Sequence, residues 1–253
     1  MTAVLAVEHL AKSWGGVRAV AGVSFSLAAG EVLALIGPNG AGKSTCFNML
    51  NGQVRPDAGR VVLGGRDITG MAPRHVFRLG VGRTFQITAT FGAMTVRENV
   101  QVALLSQAGA LGGLWRPMAA QKAAEAEALL DRVGMLGQAD RPCGVLAYGD
   151  LKRVELAVAL ANAPRLLLMD EPTAGMAPAE RIALMALTAR LAKEGSIGVL
   201  FTEHDMDVVF AHADRIIVLD RGQLIAEGAP QEVRADPRVR EVYLGTGATA
   251  GGH

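Results

Sequence analysis

Three observations predict an α/β fold with a mostly parallel sheet for this 253-residue chain. A glycine loop, GPNGAGKST at 37–45, stands between a strand-like and a helix-like run, the setting of a phosphate-binding turn. Downstream, apolar strand-like runs alternate with amphipathic helix-like ones, and strands separated by helices pair in parallel. Between about 88 and 160 there is no strand signal, which reads as a helical insertion in that core. Half the residues are hydrophobic and only 4% aromatic, so the core is aliphatic, mainly Leu, Val and Ala.

The elements follow in order. VLAVEHL (4–10) and VAGVSFSL (20–27) read as strands of an N-terminal antiparallel β portion, and EVLALIG (31–37) as a buried strand entering the glycine loop. A helix should run from Lys43 to Asn51 and stop at Gly52. RVVLGGRDI (60–68) is strand, GG turn, strand, and Pro73 fits the first turn of a short helix, APRHVFRLG. GVGRTFQ (80–86) is a strand leading to a loop. In MTVRENVQVALL (94–105), Thr95 and Glu98 have capping-box spacing and open a helix. GALGGLWRP (109–117) is a glycine-rich surface loop, and MAAQKAAEAEALLDRVGM (118–135) is helical by composition. LAYGDLKRVELAVAL (146–160) is a small-residue turn opening an amphipathic helix. RLLLMDEP (165–172) is a buried strand ending in acids. APAERIALMALTARLAKEG (177–195) is a helix with Pro178 in its first turn and Gly195 just past its end. SIGVLFTEHD (196–205) is the next strand, and RIIVLDRGQLIAEG (215–228) a hairpin about Arg221 and Gly222. With no repeats or long linkers, residues 1–253 read as one domain with the helical part inserted.

Composition excludes several function classes. A formal net charge of +1, without a basic block, disfavours a nucleic-acid partner. Cys46 and Cys143 lie far apart in neither CxxC nor zinc spacing and read as reduced thiols. His212 is expected on a helix surface, outside any His/Cys cluster. The stretch Met1–Trp14 has an acid and a base early and no long apolar run, so a signal peptide is not expected. No stretch reaches the roughly 18 uninterrupted apolar residues of a membrane span. The mean hydropathy of +0.27 leaves room for an apolar docking surface, though a large aliphatic core explains it equally well.

The chemistry concentrates at a few positions. In the loop Gly37, Pro38, Asn39, Gly40, Ala41, Gly42, Lys43, Ser44, Thr45, glycines let backbone N–H groups approach phosphate oxygens. Lys43 would reach the β- and γ-phosphates of a nucleotide, and Ser44 would ligate Mg²⁺. LLLMDE delivers the partner acids: Asp170 suits the metal, and Glu171 is placed to orient or deprotonate a water. An adjacent acid pair points to hydrolysis rather than to transfer onto a substrate. Gln86 and His204 close strands whose C-terminal ends should edge the site. A neutral amide can touch metal and water, and an imidazole can donate to a γ-phosphate; taken alone, each also reads as a solvated loop residue. The turn at Tyr148, Gly149 and Asp150 offers a second helix start that suits an anion.

Phosphate loop, Gln86, the 146–160 segment, LLLMDEP and TEHD, in that order, resemble the ATP-binding subunit of ABC transporters over essentially the whole chain. The resemblance implies a P-loop NTPase core that hydrolyses ATP with Mg²⁺. It makes Gln86 the Q-loop glutamine, also touching the metal, Glu171 the catalytic base and His204 the switch histidine. Trp14 matches the position whose ring stacks on adenine; from its residue type alone it could equally be a partly buried Trp on an edge strand. LAYGD matches the signature, commonly LSGGQ. In the family two such domains face head to tail, so Ala147, Tyr148 and Gly149 would close over the partner's nucleotide. Two anion sites per chain then make two complete sites per dimer.

Departures are visible. Ala147 replaces the usual Ser, which leaves the trans γ-phosphate to backbone groups around Gly149. Tyr148 replaces Gly, Leu151 stands where a Gln is frequent, and TAGMAP (173–178) has Ala177 in place of the Asp of an SGLDP-type loop.

LAYG followed by LKRVELA, EHDMDVV, VGRTFQITATFGAMTVRENV and DPRVREVYLG resemble the ATPases of branched-chain amino acid importers. That implies multi-span permeases, a second ATPase (a sister or a second copy), a periplasmic or extracellular binding protein, and a peripheral location on the cytoplasmic face of the membrane. Importers of urea, amides and aromatic acids share the pattern, as does, less closely, the lipopolysaccharide-export ATPase. The gap between Thr45 and Leu146 is too short for the coiled coils of a chromosome-maintenance ATPase. A single phosphate loop argues against a tandem translation factor, and the lack of NKxD against a GTPase. The helical insertion and loop 86–92 form the expected permease-docking surface, with Arg97 and Glu98 as its test positions.

Overall fold

The computed structural model describes residues 3–84, 90–108 and 122–245. Gln86 and the glycine-rich run 109–117 therefore lie outside the described residues.

Two sheets sandwich an aliphatic core. β1 (Ala3–Trp14), β2 (Val17–Ala28), β4 (Ala58–Leu63) and β5 (Arg66–Asp67) form an antiparallel sheet in the order β2-β1-β4-β5. The second sheet has the order β10-β9-β3-β8-β7-β6. It contains β3 (Val32–Ile36), β6 (Val81–Thr84), β7 (Leu166–Asp170), β8 (Gly198–Thr202), β9 (Arg215–Asp220) and β10 (Gln223–Gly228). Its strands pair in parallel except for β10, which returns antiparallel on β9.

A strand covered on both faces must be apolar at every position, and β3 is. Leu33 and Leu35 join the core beneath the antiparallel sheet, packed with Phe47 and Leu50 of α1 (Lys43–Leu50). Val32, Ala34 and Ile36 join the opposite core, beneath helices. β7 alternates likewise, with Leu166 and Leu168 on one side and Leu167 and Met169 on the other. β3 lies between β9 and β8, so the loop leaving its C-terminal end opens at a point where the chain winds both ways.

After α2 (Pro73–Arg78) and β6 come α3 (Val96–Gln107), α4 (Ala123–Arg132) and α5 (Tyr148–Leu160). Between β6 and β7 the described residues contribute no strand, only one isolated bridge, Thr95 to Pro142. The capping box forms as read: Glu98 N donates to Thr95 Oγ1, and Thr95 N to Glu98 Oε2 (2.8 Å). α6 (Pro178–Gly195), α7 (Met206–His212), α8 (Pro230–Ala235) and α9 (Pro237–Gly245) are the remaining helices among the described residues. Both cysteines are buried and free, and burial pushes the Cys46 thiol up to about 12.

Several expectations need correction. Helix α4 starts at Ala123, after Lys122 in a left-handed conformation, and residues 118–121 of the stretch read as helical lie outside the described residues. Gly195 is the last residue of α6. Ser196 (φ 52°) carries the left-handed stop, and the Ile197 N–H reaches back to the Ala192 carbonyl. β8 ends at Thr202, because Asp205 turns the chain into α7 by accepting from the Asp207 and Val208 amides. His212 is half-buried rather than on the surface; its Nε2 is enclosed without a hydrogen-bond partner among the described residues, and burial lowers its pKa. α7 was anticipated only through the expectation that His212 stands on a helix; α8 and α9 were not foreseen.

Thr95→Ala removes the cap that starts α3 and should cost about 1 kcal/mol of stability, read by denaturant unfolding.

Candidate functional site

The glycine loop is built by backbone crowding. Gly37 (φ 151°) leaves β3 so close to β9 that a Cβ would lie 2.1 Å from the Leu219 carbonyl oxygen. Gly42 (φ 103°) precedes α1, and a Cβ there would lie 2.2 Å from the Ala19 carbonyl oxygen of β2. Gly40 (φ 80°) instead meets open space at the exposed crest beside Asn39. The β9–β10 turn braces the loop: Gly222 N donates to Ala41 O (3.0 Å), and Gly222 O accepts from Ala21 N (2.8 Å). No side chain caps α1, so its first-turn amides face outward over the exposed Ser44 and half-buried Thr45. Such an end is suited to phosphate.

Lys43 is buried and donates from Nζ to the carbonyls of Gly37 (2.7 Å) and Pro38 (3.1 Å). An ammonium has three donors, so one remains for an anion. Burial lowers its pKa, against the smaller opposing pull of Glu171 and Asp170.

The acids sit at the end of β7, opposite β8, where Asp170 pairs with Thr202. Thr202 Oγ1 donates to Asp170 Oδ1 (2.7 Å) and accepts from Glu171 N (3.1 Å), which also donates to Thr202 O (3.1 Å). Asp170 Oδ2 lies 3.8 Å from Arg83 Nη2, and Arg83 Nη1 donates to Gln53 Oε1 (2.7 Å). Glu171 takes a left-handed backbone (φ 48°), which swings its side chain to His204: Oε1 and Nε2 stand 2.8 Å apart. The structure thus gathers Lys43, Asp170, Glu171 and His204 at one sheet edge.

Trp14 ends β1, an interior strand of its sheet rather than an edge strand, and is 54% exposed. Lys12 Nζ lies 4.8 Å from the centroid of its ring. The 147–149 turn lies against the loop that follows Glu171. Ala147 opens α5 without a side-chain cap, and Tyr148 faces Gly175, where a Cβ would be 3.5 Å from Cε1 of its ring. A Cβ on buried Gly149 would be 2.9 Å from Glu180 Oε1. Glu180, at the start of α6, also accepts from Ala177 N (3.3 Å). Asp150 accepts from Gln138 Nε2 (2.9 Å). The second anion-suited turn therefore has an acid at its side, which the sequence did not reveal. Thr202, Glu203 and Arg83 were also missed; their neighbours in TEHD and GVGRTFQ were read, but their partners are set by sheet pairing.

Fold and loop together define a P-loop nucleoside triphosphatase. A family model described as "ABC transporter" matches residues 20–174, and one described as "Branched-chain amino acid ATP-binding cassette transporter" matches residues 223–249. The chain belongs to the ABC transporter family and is one of its ATPases, which power transport through membrane permeases. It is 41% identical over 250 residues to the high-affinity branched-chain amino acid transport ATP-binding protein LivG of Salmonella typhimurium, covering 96% of this chain and 98% of that protein. It is 39% identical, with the same coverage, to BraF of Pseudomonas aeruginosa, which bears the same description. Among solved structures, the ADP conformation of an ATP-binding cassette of an ABC transporter superposes with a TM-score of 0.86 at 33% identity, covering 97% of this chain and 100% of that one.

Gly42→Ala should push the loop off Ala19 and sharply weaken ATP binding. Gly40→Ala should cost only its left-handed backbone, about 1–2 kcal/mol. Calorimetric titration of ATP into each variant checks the contrast.

Proposed function

We propose that this ATPase drives an importer of branched-chain or related amino acids. The observation that carries this reading is the match along the whole chain, C-terminal segment included, to ATPases so described. Residues 1–253 act as one ATP-binding domain with the helical part, about 88–160, inserted. Two such domains, this chain with a second copy or a sister ATPase, sandwich ATP head to tail between one phosphate loop (Gly37–Thr45) and the partner's turn at 147–149. Closure on ATP and reopening after hydrolysis form the lever for the permeases. A periplasmic or extracellular binding protein delivers cargo. The location is peripheral, on the cytoplasmic face of the membrane; no described helix is long and apolar enough to cross it.

Lys43 holds the β- and γ-phosphates, the first-turn amides of α1 cradle them, and Trp14 offers its exposed ring to adenine. Ser44 and Asp170 are the Mg²⁺ donors, with Gln86 completing the set. Hard oxygens in small number suit an ion that keeps much of its water, and the described residues hold no cluster of three or more His, Cys, Asp or Glu that would suit another metal. When bound, Mg²⁺ offsets charge on the phosphates. Glu171 takes the proton of the attacking water. His204, within hydrogen-bond reach of Glu171, orients that carboxylate and donates to the γ-phosphate side.

The docking face is also narrowed. Arg97 is ion-paired to Asp140 and Glu127, and Glu98 closes the capping box, so reversing either charge would disturb α3 itself. Phe91 (56% exposed) and Val145 (61%) are the better positions. Their chain neighbours are tied together, because Gly144 N donates to Gly92 O (2.9 Å), and Asn99 clamps the Phe91 backbone. An apolar permease segment suits them.

Glu171→Gln should cut ATP turnover by about 100-fold or more while ATP binding persists, trapping the closed dimer; steady-state phosphate release with size-exclusion chromatography in ATP checks it. Pull-down of the tagged chain from its native membranes should recover multi-span permeases and a second ATPase. Phe91→Asp with Val145→Asp should lose the permeases and keep the nucleotide affinity. Recovery of ribosomal or DNA-bound proteins without a membrane protein would end the transporter reading.

A further inference from the structure

Glu203 is a carboxyl in the wrong place for a surface acid. It is only 6% exposed and stands directly after β8. Burying a carboxyl is costly unless its oxygens are bonded. Here they are. Oε1 accepts from Thr173 N (2.9 Å) and Thr173 Oγ1 (2.6 Å), and Oε2 accepts from His204 N (3.2 Å). One carboxyl thus grips the segment two residues after Glu171 with one oxygen and the backbone of His204 with the other.

Those two segments carry the two ends of the Glu171–His204 contact. Glu171 holds a left-handed backbone, a conformation that a non-glycine residue keeps only where its surroundings over-determine it. Thr202 fixes its amide on the β8 side, and Thr173 is the nearest anchor downstream. A second clamp repeats the pattern further out: Arg181 donates to Met176 O (2.7 Å) and to Asp205 Oδ2 (2.8 Å).

We infer that Glu203, acting through Thr173 and the His204 amide, is a positioning residue that sets the Glu171 carboxylate against His204 for hydrolysis. The inference rests on the proposed roles of Glu171 and His204. It assigns Glu203 no contact with nucleotide.

The test is steady-state ATPase kinetics of the full chain carrying Glu203→Gln, Thr173→Val, Thr173→Ser, or the first two combined. Glu203→Gln replaces one of the two acceptor oxygens with an NH2 donor, so either the Thr173 amide or the His204 amide loses its acceptor. Turnover number should fall about 10- to 100-fold in Glu203→Gln and Thr173→Val, as expected for misplaced reacting groups. KM for ATP and the unfolding midpoint should hold, with KM within about twofold. Thr173→Ser, which keeps the hydroxyl, should recover most of the rate. The double variant should be no slower than Glu203→Gln alone, because the two side chains act as one unit.

Wild-type turnover in both single variants would overturn the inference. So would rate, KM and unfolding midpoint moving together with Thr173→Ser no better than Thr173→Val, which is the mark of a purely structural role. If Glu203→Gln fails to fold, the Thr173→Val and Thr173→Ser pair decides alone. Glu171→Gln is run alongside. Full turnover there removes the base assignment and this inference with it. Loss of turnover there with unimpaired Glu203→Gln and Thr173→Val removes only the inference.

Discussion

The parallel pairing of β7 with β8, Asp170 opposite Thr202, is the constraint on which the site depends. A single hydroxyl, Thr202 Oγ1, donates to one acid and receives the backbone of the next. The adjacent acids are thereby parted: Asp170 stays in line with its strand, and Glu171 is turned aside to His204. Without that register, neither the Thr202 hydroxyl on Asp170 nor the turn of Glu171 toward His204 would give the two acids the different surroundings that their proposed roles, metal binding and proton transfer, require. Division of labour between acids requires different surroundings.

The rest of the fold keeps that edge still. β3 and β7 are apolar on both faces, so neither can shift register without driving core side chains against the wrong layer. The antiparallel sheet reaches the phosphate loop through Ala19 against Gly42, and the β9–β10 turn reaches it through Gly222. The loop is therefore held by backbone from both sheets. Its glycines are needed where backbone approaches within van der Waals contact at Gly37 and Gly42, and for open approach at Gly40. The turn at 147–149 rests on Gly175 and Glu180, in the loop and helix that follow Glu171 in the chain.

What was legible in the sequence was local chemistry. The glycine loop, the acid pair, the capping box at Thr95 and the Arg221–Gly222 hairpin each declare themselves within a few residues, and the parallel sheet followed from strands alternating with helices. Thr202, Glu203 and Arg83 did not declare themselves, because each acquires its partner through strand pairing, Glu203 and Thr173 lying 30 positions apart. Glu180 beside Gly149 is a meeting of two helices that no spacing rule gives. Helices α8 and α9 show no clear 3.6-residue period in the sequence, and His212, expected on a helix surface, looked superficial only because the packing around α7 was unseen. The stop of α6 fell on Ser196 rather than Gly195 because the return bond to Ala192, and not residue preference, sets where the chain turns.

The central claim is that ATP held by this chain drives amino-acid import. Its most direct measurement is uptake of radiolabelled leucine, isoleucine and valine by the native host in which Lys43→Ala replaces the wild-type residue. The account gives uptake reduced to background for these substrates and unaltered uptake of a sugar carried by a different system. Unchanged leucine, isoleucine and valine uptake at full expression of the variant would contradict it.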